Sequence, residues 1–282
     1  MKIGVSSGEY DRWGEEKYTK IYEHGFTAVD YNLAETTAIP YTLSFEEASA
    51  YLLSEKEKIE KTGLIISQVH GPWRWPPQDS SEEDRAERME KMKKSIQFSA
   101  ILGCKNWVVH PIMPFGVEEK DNLELVKQTW DMNIAFMREL LKTAKEFNVV
   151  ICLENMPMPQ FSLGSPQDTL RFVKEINDDN FQICFDTGHA TMFSDKSVGD
   201  HVRELGDYIK AFHIHDNNGL YDLHMLPYFG VIDWADFGKA LKDIDFNGVF
   251  SFESSAYDNL SNEEHESLCL IKYKMAKRIL AE

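Results

Sequence analysis

Residues 149–189 read VVICLENMPMPQFSLGSPQDTLRFVKEINDDNFQICFDTGH, and the order of features in this stretch decides the fold. An apolar run over 149–155 delivers Glu154 at its end. Ser165, Pro166 and Asp168 then give helix-start signals in the expected order, followed by an amphipathic segment over 169–176. A second apolar run, 182–186, ends in Asp186, and Gly188 lets the backbone bend before His189. Strand, helix and strand in this sequence imply parallel pairing, with an acid at each strand end.

The same alternation extends in both directions. Strands are predicted at 2–6, 28–33, 65–70, 107–110, 149–155, 182–186, 211–216 and 249–253, with helical periodicity over 45–61, 82–102, 123–147, 169–176, 234–241 and 263–280. Ser44 with Glu47 marks another helix start, and Gly25, Gly63 and Gly103 stand where left-handed C-terminal caps are needed. Eight such units close into a single (β/α)8 TIM barrel spanning residues 1–282. An open doubly wound sheet is the alternative, but Ser6-Ser7-Gly8-Glu9 lacks its glycine-rich phosphate turn.

Composition narrows the partners. Hydrophobic content of 43% and charged content of 27% are ordinary for a globular chain, and no linker-like stretch divides it. The formal net charge is -17, without a basic arm or lysine-rich stripe, so nucleic acid is disfavoured as a partner. Part of that charge should face bound cations. The chain opens directly as a strand, and no stretch is apolar for long enough to span a bilayer, so a cytoplasmic protein with no membrane partner is expected. Cys104, Cys152, Cys184 and Cys269 show no metal or redox spacing and are read as buried thiols.

Residues able to hold a metal gather at one rim. His70, His110, Glu154, Asp186 with His189, His213 with His215, and Glu253 all lie at or just past strand ends, and Asp222 and His224 follow in the next loop. A carboxylate emerging from a buried strand is costly unless a cation or donor compensates it, and no strand end carries Lys or Arg. Mixed oxygen and nitrogen donors suit Mn, Zn, Co or Mg. His213 and His215 share one strand face by alternation, and only one of them needs to ligate, which leaves His215 as a substrate-binding candidate. Trp73 and Trp75 offer indole faces to a sugar, and Arg74 between them could fork onto a phosphate or carboxylate. Tyr228 and Phe229 admit the same reading, or simple packing at the rim.

The segments HGPW at His70, VVHP at His110, CLEN at Glu154, CFDTGHA at Asp186, HIHDNNG at His213, DLH at Asp222 and FESS at Glu253 resemble the xylose isomerase-like barrels over essentially the whole chain. That superfamily holds sugar and sugar-phosphate isomerases and epimerases together with class II abasic-site endonucleases. The resemblance implies a central metal site of Glu154, Asp186, His213 and Glu253, with Glu154 and Glu253 as the catalytic base and acid pair. His189 would bind substrate in the epimerase branch, or join Asp222 and His224 around another metal in the nuclease branch, while His70 and His110 match further nuclease-like ligands bridged by Glu154. A homodimer or homotetramer is also implied.

Two departures affect detail. The loop after the His213 strand keeps only Gly230 of a glycine-rich turn, and Asn155-Met156-Pro157-Met158-Pro159 lacks the second acid of ketohexose epimerases, so no particular sugar transfers. The expected function is a metal-dependent isomerase or epimerase of a small sugar, sugar phosphate or related polyol or keto compound, acting through a metal-stabilised enediolate. The alternatives are a multi-metal phosphoesterase of the abasic-site endonuclease type, and a barrel that binds metal or sugar without turnover.

Overall fold

Strands and helices alternate from one end of the chain to the other in the computed structural model, which describes residues 1–73, 75–77, 79–193, 195–254 and 259–281. The strands are β1 (Lys2–Ser6), β2 (Ala28–Asn32), β3 (Ile65–His70), β4 (Asn106–Val109), β5 (Val150–Glu154), β6 (Phe181–Asp186), β7 (Ile209–His213) and β8 (Val249–Phe252). The helices are α1 (Lys17–Glu23), α2 (Ile39–Thr42), α3 (Phe45–Lys61), α4 (Glu82–Ile101), α5 (Leu123–Glu146), α6 (Pro166–Ile176), α7 (Thr187–Ala190), α8 (Val198–Leu205), α9 (Trp234–Asp243) and α10 (Asn262–Ala281).

Every strand pair is parallel, in the order β7-β6-β5-β4-β3-β2-β1-β8. The two ends of that sheet meet at a parallel bridge between Ile214 and Phe252, where Ile214 N donates to Ser251 O at 2.9 Å and Glu253 N donates to Ile214 O at 3.2 Å. The result is a (β/α)8 barrel. Because helices cover its outside, both faces of each strand are buried, as the runs of apolar residues require. Outward side chains such as Trp107, Ile151, Phe185 and Phe212 join the large core against the helices. Val108, Cys152, Cys184 and Ala211 form a separate small cluster inside the ring. All four cysteines are buried and free.

Local signals act where the sequence puts them. Ser44 and Glu47 form a reciprocal capping box at α3, and Gly25, Gly63 and Gly103 take positive φ just after α1, α3 and α4. Several bounds shift by one or two residues, and three departures go further. The sixth helix begins at Pro166 rather than 169, with Ser165 Oγ accepting from Asp168 N. β7 begins at Ile209 and ends at His213, because its pairing with β6 shifts register between Ile183 and Cys184 and Ile214 already belongs to the contact with β8. His215 therefore lies beyond the strand. The polar segment Ser7–Glu16 folds as 3-10 turns, a geometry that a search for 3.6-residue periodicity does not detect. Among the described residues, no helix is long and apolar enough to cross a membrane.

Candidate metal centre at the barrel mouth

Strand ends build the centre one residue at a time. His70, Glu154, Asp186 and His213 are the last residues of β3, β5, β6 and β7, while His110 and Glu253 each follow their strand by one position. Parallel strands in register bring these ends to the same rim. Glu154, Asp186, His213 and Glu253 each offer a ligand atom, and those atoms all lie within 4.8 Å of one another. His213 Nδ1 stands 3.0 Å from Glu154 Oε1 and 3.2 Å from Glu253 Oε2.

Two further groups adjoin this one. His70, His110 and Glu154 form the first, with His110 Nε2 at 3.0 Å and His70 Nε2 at 3.7 Å from Glu154 Oε2. His189, His215, Asp222 and His224 form the second, where Asp222 Oδ2 lies 3.3 Å from both His189 Nε2 and His224 Nε2. The structure thus brings together Glu154, Asp186, His213, Glu253, His70, His110, His189, Asp222 and His224 around one mouth.

The ring is held by backbone contacts. Asn155 Nδ2 donates to Asp186 O at 3.0 Å and its Oδ1 accepts from Asp186 N at 2.9 Å, which locks the ends of β5 and β6 together. Asp186 Oδ1 caps α7 through His189 N at 2.6 Å, and His189 Nδ1 reaches Asn155 O at 2.8 Å, leaving Nε2 for Asp222. The loop that carries Asp222 and His224 is shaped by Asp216, which accepts from Trp234 Nε1 at 2.8 Å and from Ile232 N at 3.2 Å. His224 Nδ1 is anchored on Glu253 O at 2.9 Å.

His215 is fully buried and does not line the mouth. Its Nε2 sits 3.0 Å from Asp186 Oδ2 and its ring stacks on His224 with centroids 4.1 Å apart, so it touches a ligand candidate where a substrate contact was expected. Trp73 stands edge-on to His110 at 4.5 Å, and Trp75, 59% exposed, leans on Trp73. Both indoles line a cavity of about 440 Å³ with Met156, Met158, His189, Glu154 and Glu253. Arg74 lies outside the described residues. Tyr228 is seated on the Trp234 ring and under Arg278, whereas Phe229 is exposed, and neither lines the mouth.

Electrostatics reveal what the donors lack. Burial pushes the Glu154 carboxyl up more than any single neighbour pulls it down, but His213 and His110 together outweigh burial and hold it well below the usual carboxylate range. Burial likewise works against charge on His213, His189 and His224, yet their acidic neighbours win: His189 rises to about 9, His224 to about 10, and His213 well above its ordinary value. His110, with burial dominant, falls to about 4 and meets Glu154 as a neutral donor. Protons on imidazoles are therefore the only counter-charge among the cavity-lining residues described, which include no Lys or Arg. Deprotonated imidazoles and carboxylates at these separations are a donor set that suits a divalent cation, and the residues fit one.

Sequence reading missed the polar layer beneath the ligands. Asp30 on β2 and Gln68 on β3 are buried inside the barrel, with Asp30 Oδ2 at 3.2 Å from His213 Nε2. An acid inside the apolar run AVDYN was the available signal.

Known proteins resemble this chain along most of its length. A family model described as xylose isomerase-like TIM barrel matches residues 18–272. An uncharacterized protein of Methanocaldococcus jannaschii is 30% identical, covering 99% of this chain and 93% of its own. D-psicose 3-epimerase of Ruminiclostridium cellulolyticum is 30% identical, covering 90% of this chain and 83% of its own. Among solved structures, a D-tagatose 3-epimerase-like protein superposes with a TM-score of 0.77 at 28% identity, covering 100% of this chain and 98% of that one.

Proposed function

This chain belongs to the xylose isomerase-like TIM barrel family, and from that membership we propose that it is a metal-dependent epimerase or isomerase of a small sugar, sugar phosphate or related keto-polyol. The observation that carries this reading is the convergence of Glu154, Asp186, His213 and Glu253 beside a cavity of about 440 Å³ walled by Trp73, Trp75, Met156 and Met158. Relatives named as 3-epimerases of ketohexoses support the substrate class.

A divalent ion on those four side chains, Mn, Zn, Co or Mg, would supply Lewis acidity to the substrate carbonyl and so acidify the neighbouring C–H. Glu154 and Glu253 reach the mouth from β5 and β8, and they are the pair that takes a proton from one face of that carbon and returns one to the other. Glu154 is held ionised and can accept a proton, while Glu253, whose side chain is 25% exposed, is open to solvent. His189, whose Nδ1 is held at Asn155 O, would orient a substrate hydroxyl. The Trp73 and Trp75 indoles offer apolar faces to the C–H side of a sugar ring. Met156 and Met158 make the cavity wall apolar next to Glu154.

The test is solvent-deuterium incorporation next to the carbonyl of D-psicose, D-tagatose and related ketoses. Glu154→Gln and Glu253→Gln should each abolish exchange while the far-UV CD spectrum is kept. Wild-type exchange in both variants would refute the assigned roles.

A second reading has one observation in its favour: the groups His70, His110, Glu154 and His189, Asp222, His224 come together beside the central site. Several clustered cations there would suit a phosphoesterase that activates water and stabilises a leaving oxygen. The charge of -17 and the lack of Lys or Arg among the described cavity residues weigh against a nucleic-acid substrate. Cleavage of an abasic-site duplex with zinc or manganese, together with about three bound ions per chain, would favour this reading over the first.

A further inference from the structure

Asp30 lies on β2 inside the barrel, only 2% exposed, one layer below the ligand ring. Strand register sets it beside Gln68 of β3, whose Nε2 donates to Asp30 Oδ2 at 2.9 Å and to Phe212 O at 3.1 Å. Phe212 is the residue before His213, so Gln68 ties the acid to β7 through the backbone as well. Asp30 Oδ2 is itself 3.2 Å from His213 Nε2, and Asp30 Oδ1 is buried without a hydrogen-bond partner.

We propose that Asp30 is a positioning residue for the metal centre: it accepts the Nε2–H of His213 and thereby directs the Nδ1 lone pair to the point between Glu154 and Glu253. This rests on the metal reading given above. A neutral imidazole carries one N–H and one lone pair, and the group bonded to the first decides where the second points. Here the two nitrogens face different chemistry. Nε2 meets one carboxylate whose oxygen is already fixed by Gln68, whereas Nδ1 meets Glu154 Oε1 at 3.0 Å and Glu253 Oε2 at 3.2 Å. A carboxylate on the far nitrogen of a ligating histidine also makes the near nitrogen more basic.

A purely structural acid would be expected to have both oxygens satisfied, as most buried polar atoms do. Asp30 instead keeps one oxygen unpaired and directs the other to Gln68 and His213. That arrangement has a use if His213 passes the negative charge on to a cation at Nδ1.

The test has two arms. In the first, metal-free wild type, Asp30→Asn and Asp30→Ala are titrated with Zn²⁺ against a chelating dye, and their melting temperatures are compared. Both variants should bind Zn²⁺ about 10- to 100-fold more weakly while the metal-free melting temperature is unchanged or raised. Affinity within twofold of wild type would overturn the proposal. Affinity lost only in step with melting temperature would overturn it too, since that marks a structural role. The second arm needs no substitution: wild type with ¹⁵N-labelled histidine is loaded with ¹¹³Cd²⁺ and examined by NMR. Coupling of cadmium to His213 Nδ1, with a retained proton on Nε2, is the expected result, and coupling to Nε2 contradicts it. Cadmium bound with no coupling to either nitrogen of His213 also overturns the proposal. Failure to bind any cation would remove the metal reading itself, a different outcome from cation bound through the wrong nitrogen.

Discussion

Glu154 is the residue on which the ligand groups at the mouth converge. One oxygen faces His213 and the other faces His110 and His70, so its two lone-pair directions already serve two neighbouring subsites. Such residues were readable because each acid or imidazole ends an apolar run, where a buried charge needs a partner. Asp30 and Gln68 are harder to place: the acid inside AVDYN marks a buried charge, but nothing in the linear pattern says which face either residue occupies. His215 shows the same limit: alternation placed it on the face of His213, but the strand ends first and its ring turns to Asp186. Away from the centre, His265 gives a pH prediction. Burial, reinforced by Arg12, Lys272 and His24, lowers it to about 4, against about 6.5 in an unfolded chain. Between those values the unfolded chain binds a proton that the folded one refuses, so stability is lost as pH falls from about 6.5 towards 4. The melting temperature of metal-free His265→Gln should fall less over that window than that of wild type. Parallel curves would contradict the assignment.

Among the elements, the turn from β6 into α7 is the tightest part of the site. A Cβ on Gly188 would stand 2.0 Å from His215 Cε1 and 2.2 Å from its Nδ1, and that ring is already held by Asp186 and stacked on His224. Gly188→Ala should cost about 1–3 kcal/mol in urea unfolding, as overpacking in a dense interior does. It should also weaken cation binding, because His215 is in contact with Asp186. A variant as stable as wild type with unchanged metal affinity would show that the turn is not under this constraint. This turn was legible as Asp-Thr-Gly-His, a carboxylate and an imidazole with a glycine between them. The loop after β7 was less so. Its shape depends on Asp216 receiving Trp234 Nε1 and Ile232 N, contacts between residues far apart in the linear pattern, and Gly230 survives where a Cβ would meet Asn217 O at 2.1 Å.

At the scale of the molecule, the recurrence of strand and helix was enough to specify a parallel barrel, because eight units with apolar strands have few other ways to cover both sheet faces. Closure itself depends on a bridge between Ile214 and Phe252 that no local signal announces. The barrel explains why residues as far apart along the chain as His70 and Glu253 meet around His213: parallel strands deliver every C-terminus to the same end. A cation at the mouth would offset part of the formal charge of -17, since Glu154, Asp186, Glu253 and Asp222 all belong to the groups there. The proposed epimerase chemistry needs one cation on Glu154, Asp186, His213 and Glu253. Anomalous diffraction at the zinc edge from crystals of the zinc-loaded protein tests it most directly. A peak with a donor atom of each of those four side chains at about 2.0–2.2 Å is the expected result. Zinc found elsewhere, with the four side chains free of it, would rule out this site.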